Sequence, residues 1–257
     1  YILFLKGVVG DKLKMEATRQ GKKVCKGTFF LGSFGVPKTI SLYLVKGVEP
    51  ALIESGPSSI SNEVCRRLNR LGVSPKDVSY ILLTHIHIDH AGGAWSLLER
   101  MPKARVMLHP QGVRHLIDPS RLYASASKVL GDVLKKWGEV RPVSPSRILE
   151  ARDGQTVNLG GLELRFMNAP GHAPHQIAIY DETNRVLFPG EAMGIYYPGI
   201  DVIVPASPPP NFDLELAIQT IQKLSNLRVD ALCLPHFGPI FDVKTFFQRV
   251  FHLYRRW

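Results

Sequence analysis

Thr84-His85-Ile86-His87-Ile88-Asp89-His90 follows directly on the apolar run Tyr80-Ile81-Leu82-Leu83 and packs four metal-competent side chains into six residues. Imidazole nitrogen and carboxylate oxygen suit zinc, iron, manganese or cobalt, and no thiolate stands nearby to demand a softer ion. In a turn leaving a strand, His85 and His87 point one way while Asp89 and His90 turn toward a neighbouring position, so one segment can serve two ions. A strand end that merely carried these histidines would leave several polar groups partly buried without partners, which is costly unless something satisfies them.

Seven residues cannot surround two ions, so further ligands must come from elsewhere in the chain. Three candidates each close a strand-like segment. His172, in Ala169-Pro170-Gly171-His172, follows Leu162 to Phe166, whose apolar alternation reads as a half-buried strand. Glu191 ends the run Arg185 to Gly190, and His236 ends Ala231-Leu232-Cys233-Leu234-Pro235. Asp181 competes with Glu191 but lies in an Asp-Glu-Thr-Asn turn, so it reads as a hairpin residue.

Through these residues the chain resembles the metallo-β-lactamase superfamily, in which a His-x-His-x-Asp-His motif is followed by a distant His, a bridging acid and a last His. The resemblance implies an α/β fold, the αββα sandwich, over nearly the whole chain. It implies that His85, His87 and His172 hold one divalent ion and Asp89, His90 and His236 a second, with Glu191 between them. Zinc is the expected metal, with iron or manganese as alternatives. Ala91-Gly92-Gly93 resembles the glyoxalase II-like and lactonase-like branch. The family usually has Asp where this chain has Glu191, one methylene longer, which leaves open a bridging Glu or a mononuclear site.

The expected chemistry follows from the ions: hydroxide made from bound water attacks a carbonyl or phosphoryl group that the same ions polarise. Asp89 is then both ligand and catalytic proton acceptor, and Thr84 is a candidate for orienting an imidazole. The preferred substrate is a small ester, thioester or lactone. The alternatives are a phosphodiesterase, phosphotriesterase or nuclease, a mononuclear iron persulfide dioxygenase, and a metal-binding module without catalysis. A diiron oxygen reductase is disfavoured, because flavodiiron proteins usually carry Glu at the place of His87 and need a flavodoxin domain. His175 reads as a group behind the ligands or in the pocket; Tyr196, Tyr197 and Phe237 read as pocket lining or packing. His109 and His252 are unassigned.

The 257 residues, 45% of them hydrophobic, suffice for a substantial core, and no composition shift marks a linker, so residues 1–257 are expected to form a single domain. The formal charge of +10 raises nucleic acid as a partner. The Lys and Arg residues are dispersed, however, and neither the extra domain of the β-CASP nucleases nor a basic arm is found, so a small-molecule substrate is preferred over RNA. No membrane span is expected, and Tyr1 to Leu5 lacks the features of a signal peptide, which points to a cytoplasmic protein. Residue 1 is not Met, which leaves a longer gene product open. Cys25, Cys65 and Cys233 are far apart and read as small core hydrophobes.

Strands are expected at Ile40 to Val45 and Ala51 to Glu54. A helix is expected from Ser59, with Ile60, Val64, Leu68 and Leu71 inward, Arg66, Arg67 and Arg70 outward, and Gly72 closing it. Another helix is expected from Phe212 to about Ser225. Between the halves, Gln111 to Val140 reads as a helical insertion near the site, either a lid, a subunit contact or a packed connector, with Val129, Val133 and Leu134 apolar and with Arg114, His115 and Tyr123 of interest. Pro205 to Pro210 and the aromatic-basic end Phe251 to Trp257 read equally as interface elements, a homodimer being one option, or as a surface loop and a terminal helix.

Overall fold

The computed structural model describes residues 21–35 and 39–257; the reading of Tyr1 to Leu5 therefore lies outside the described residues. The first sheet holds seven strands in sequence order: β1 (Lys22–Cys25), β2 (Thr28–Phe34), β3 (Ile40–Val45), β4 (Ala51–Ile53), β5 (Tyr80–Leu82), β6 (Arg105–Leu108) and β7 (Ile148–Glu150). The second sheet contains β8 (Thr156–Asn158), β9 (Glu163–Asn168), β10 (Ile177–Asp181) and β11 (Val186–Phe188). After the two-stranded ribbon of β12 (Ile195–Tyr197) and β13 (Val202–Val204), it is completed by β14 (Ala231–Cys233) and β15 (Pro239–Ile240), in the order β15-β14-β11-β10-β9-β8.

Alternation along the strands builds the layers, because successive side chains leave a strand on opposite faces. Tyr43 and Val45 of β3 meet Ile177 and Ile179 of β10 between the sheets, together with the fully buried rings of Phe30, Phe166 and Phe188. Leu42 and Leu44, the intervening residues of β3, face outward onto α1 (Ser61–Arg70) and α3 (Ala94–Arg100) through Val64, Leu68 and Leu97. On the opposite outer face, Ala178, Tyr180 and Leu232 pack on α7 (Leu214–Ser225) and α8 (Val243–Arg256) through Ile221, Phe246 and Val250. The result is helices, sheet, sheet and helices, the expected αββα sandwich. Each large side chain buried in these layers contributes about 1.5–3 kcal/mol from area removed from water.

Strand direction then fixes where the site lies. β4 and β5 pair in parallel, and so do β11 and β14; β9 runs the same way as β11 because both are antiparallel to β10. Five carboxyl ends therefore open at one end of the sandwich, and they deliver Glu54, the His-rich motif, His172, Glu191 and His236. Hydrogen bonds join the sheets at that end: Ile177 N to Thr84 O at 2.8 Å, and Ser41 N to Pro235 O at 2.7 Å.

Several local expectations are corrected. The helix begins as a 3-10 turn at Ser58–Ile60, and Arg67 is buried rather than outward, its guanidinium 4.0 Å from the centre of the Phe34 ring and donating to Leu31 O at 2.9 Å. Within the insertion, α4 (Pro110–Ile117), α5 (Ser120–Leu130) and α6 (Asp132–Trp137) form, with Leu134 and Trp137 packed on Ile88 of the motif, but Val129 is exposed. Asp181 is a hairpin residue, accepting hydrogen bonds from the backbone and side-chain nitrogens of Asn184 at 2.9 and 2.7 Å. No helix among the described residues is long and apolar enough to cross a membrane.

Candidate metal centre

All seven side chains singled out in the sequence converge at the open strand ends. His85, His87, His172 and Glu191 form one group and Asp89, His90, Glu191 and His236 a second, with candidate ligand atoms within 4.8 Å of one another in each. Glu191 belongs to both. Its Oε2 lies 2.9 Å from His172 Nε2 and its Oε1 lies 2.7 Å from His236 Nε2. The first group is further drawn together by 3.0 Å between His172 Nε2 and His87 Nδ1. In the second, His90 Nε2 stands 3.5 Å from Asp89 Oδ2 and 3.7 Å from Glu191 Oε1.

The motif leaves β5 in extended form and turns at His87 into the short helix α2 (Ile88–Ala91), so His85 and His87 precede the helix while Asp89 and His90 sit on its first turn. Gly93 lets α3 start against the preceding loop: a Cβ there would lie 2.8 Å from Gly56 O, to which Gly93 N donates at 2.7 Å. Glu191 sits on a 3-10 turn, Gly190–Met193, whose first residue has φ +57°, a conformation that favours glycine.

The rear nitrogens fix the tautomers. A carbonyl oxygen only accepts, so the 2.9 Å contact between His172 Nδ1 and Ala206 O requires a proton on Nδ1 and makes Nε2 the nitrogen turned to the site. The Thr84 hydroxyl donates to Glu54 Oε1, so at 3.0 Å it accepts from His85 Nδ1. His85 Nε2 then points inward, buried and without any hydrogen-bond partner, as are both ring nitrogens of His90. Buried imidazole atoms left unpaired are expensive, and a cation among these nitrogens and carboxylates satisfies them. The donor set therefore fits divalent metal.

Electrostatics agree for His85 and His87, whereas the carboxylates around His90 favour its protonated form, so a cation there would have to displace that proton. Burial and the neighbouring charges of His90 and His87 push the His85 imidazole well below its ordinary value, and burial with the charge of His172 lowers His87 to about 4. Both are neutral, hence able to ligate, at physiological pH. Burial alone would raise the Glu191 carboxyl, but the charge of His172 and hydrogen bonds from His172 and His236, with the His90 ring 3.7 Å away, outweigh it and hold it well below the usual carboxylate range.

Sequence reasoning missed Glu54, Gln176 and Ala206. Glu54 is buried with φ +65°, binds the backbone N of Thr84 at 3.3 Å as well as its hydroxyl, and lies 3.6 Å from His90 Nδ1. Gln176 accepts from Glu191 N at 3.0 Å and donates to Ala169 O at 2.8 Å, tying the Glu191 turn to the His172 loop. A signal for Glu54 was present: it closes the apolar run Ala51-Leu52-Ile53 just before Ser55-Gly56, much as Glu191 closes its own. Glu54→Gln is expected to weaken metal binding by about 10- to 100-fold, the range for partners behind metal-binding imidazoles. Competition with a chromophoric chelator measures it, and an unchanged affinity would confine Glu54 to folding.

Of the other residues watched, His175 stacks parallel to His85 at 6.4 Å between ring centres, with Nδ1 buried and unpartnered. Tyr197 packs on Phe237, which follows His236 and has φ +61°, at 5.0 Å. Tyr196 is a packing residue, its ring on Phe246 and its hydroxyl donating to Asp201 at 3.0 Å. Arg114 Nε donates to the His115 ring at 3.2 Å on α4.

Known proteins resemble this chain in sequence and fold. A family model described as the metallo-β-lactamase superfamily matches residues 36–236. The metallo-β-lactamase fold-containing protein ST1585 of Sulfurisphaera tokodaii is 27% identical over 223 residues, covering 83% of this chain and 79% of that protein. A crystal structure of ST1585 superposes with a TM-score of 0.73 at 23% identity, covering 88% of this chain and 85% of the other. The family protein TTHA1429 of Thermus thermophilus gives 0.70 at 26% identity, over 91% and 81%. Human MBLAC2, an acyl-coenzyme A thioesterase, is 30% identical over 118 residues, which are 43% of this chain and 39% of that protein. Since the family model covers most of its length, the chain belongs to the metallo-β-lactamase superfamily.

Proposed function

We propose that this protein is a binuclear metal-dependent hydrolase of small acyl thioesters, with zinc as its metal. The observation that carries the reading is the division of the Glu191 carboxylate, one oxygen against His172 and the other against His236. His85, His87 and His172 would hold one ion and Asp89, His90 and His236 the other, with Glu191 shared, a role its contacts to both His172 and His236 support despite its extra methylene over Asp. Bound there, divalent ions supply a nucleophile at neutral pH and polarise the substrate carbonyl.

The chain's own groups do the rest. Asp89, with its side chain 17% exposed, faces the opening and takes the proton released during attack. Thr84 with Glu54, and Ala206, keep the His85 and His172 rings in their ligating tautomers. Tyr197 and Phe237 form an aromatic wall beside His236 against which an acyl group can lie. The thioester preference draws on MBLAC2, whose match to this chain is partial.

The test is metal content of protein purified without added metal, together with hydrolysis of an acyl thioester, a lactone and bis-p-nitrophenyl phosphate. About two ions per chain with thioester turnover is the expected result. About one iron per chain with no hydrolysis would replace it with the dioxygenase reading, and bound metal without turnover on any of the three would favour a binding module.

A further inference from the structure

We propose that Tyr254, on the last turn of α8, is a positioning residue for the metal centre and acts on His172 through the proline-rich segment 205–210. The proposal rests on the binuclear reading above.

Four of the six residues of this segment are proline, so Ala206 and Ser207 carry its only backbone N–H groups. Such a stretch cannot be held by a sheet ladder. Yet it supplies Ala206 O, the acceptor that sets the His172 tautomer at 2.9 Å. The Ala206 peptide must be fixed in some other way, and Ala206 N donates to the Tyr254 hydroxyl at 3.2 Å. Both residues are buried, Ala206 at 5% and Tyr254 at 1% exposure, so water does not substitute for the bond.

Just past the segment, the residue that caps the same helix makes a second contact. Phe212 packs edge-on against Trp257, ring centres 5.4 Å apart, and Asp213 N donates to Gly171 O at 2.8 Å, next to His172. Gly171 itself lies so close to α7 that a Cβ there would overlap the backbone of Ala217. The aromatic C-terminus and the proline-rich stretch are thus partners of each other within the chain. Together they clamp the His172 loop from behind, at its imidazole and at the preceding carbonyl. A metal-binding imidazole loses affinity when its rear hydrogen bond is loosened, and only the ion held by His172 depends directly on this clamp.

Tyr254→Phe removes the acceptor oxygen and keeps the ring. We expect about tenfold weaker binding of one zinc ion per chain, the lower end of the range for such partners, with the second ion unaffected, read by chelator competition. The absorption bands of the cobalt-loaded protein should shift, while the melting temperature of the chelator-treated protein falls only by the few degrees that one unmet buried N–H costs. Trp257→Ala, at a residue 55% exposed, loosens the second contact with little risk to folding and should weaken the same ion. If both variants bind both ions with the parent's affinities, or if both ions weaken to the same degree, the positioning role is overturned. If the parent chain itself takes up no zinc, the metal reading fails first.

Discussion

Replacing Asp89 by Ala is expected to lower thioester turnover by about 10²- to 10⁴-fold, the usual contribution of a positioned proton acceptor, with the fold retained. The fold should survive because, among the described residues, the ion-pair contacts of the Asp89 carboxylate are long, 3.5 Å to His90 and 3.7 Å to His236. Helix α2 is held instead by its backbone, with His90 N and Ala91 N donating to His87 O at 2.9 and 2.8 Å, and by Ile88 packed on Leu134 and Trp137. Losing a carboxylate from the second group should also weaken the ion proposed there. Turnover must therefore be compared at saturating zinc, where the ligand deficit is made up and the missing proton acceptor is not. Asp89→Asn keeps one ligating oxygen and should bind zinc better than the Ala variant while remaining nearly as slow. A variant that turns over at the parent rate in saturating zinc would remove Asp89 from the mechanism.

The residues that the sequence made legible share one property: each is a chemically distinctive side chain at the end of an apolar run. His85, His87, Asp89 and His90 announce themselves by density, and His172, Glu191 and His236 by position after a strand. The fold was legible for the same reason, since the apolar strand segments that present these ends also build the sheets. What stayed hidden acts through geometry that sequence spacing does not encode. Ala206 contributes a carbonyl oxygen, which every residue has, and Tyr254 contributes a hydroxyl 48 positions away. Proline-rich and aromatic-basic segments have no periodicity that assigns them a partner, so two touching elements were read separately. Arg67 was misplaced for a related reason. On a helical wheel it belongs with Arg66 and Arg70, but Glu63 accepts its Nε at 2.7 Å and the Phe34 ring lies beneath it, so its charge is satisfied while buried.

Stripped of metal, the protein should be most stable near pH 6.5 and lose stability on both sides. His175 is pushed down to about 3 by burial and by the charges of His87 and His172, and His87 to about 4; His85 also lies well below 6.5. Each of these rings stays neutral in the folded chain while the unfolded chain takes up its proton as pH falls through 6.5. The unfolded state then binds more protons, so stability rises with pH across this window, by roughly 1.4 kcal/mol per pH unit for each ring fully in its window. Glu191, held below 4.5, extends the same acid limb at its lower end. His90 has the opposite sign. Burial disfavours its charge, but the negative charge of Asp89, then of Glu191 and Glu54, whose carboxylate oxygens lie 3.5, 3.7 and 3.6 Å from its ring nitrogens, outweighs it and raises the imidazole well above 6.5. Its contribution is complete below pH 6.5 and is lost as pH climbs toward the folded value, giving a shallower alkaline limb. Denaturant unfolding in excess chelator from pH 4 to 9 measures both limbs. His175→Phe should flatten the acid limb by roughly 1.4 kcal/mol per pH unit, leave the alkaline limb intact and leave both metal sites filled. An acid limb of unchanged slope in that variant would show that His175 takes up its proton in the folded chain, and a missing alkaline limb would remove His90 as the charged partner of Asp89, Glu191 and Glu54.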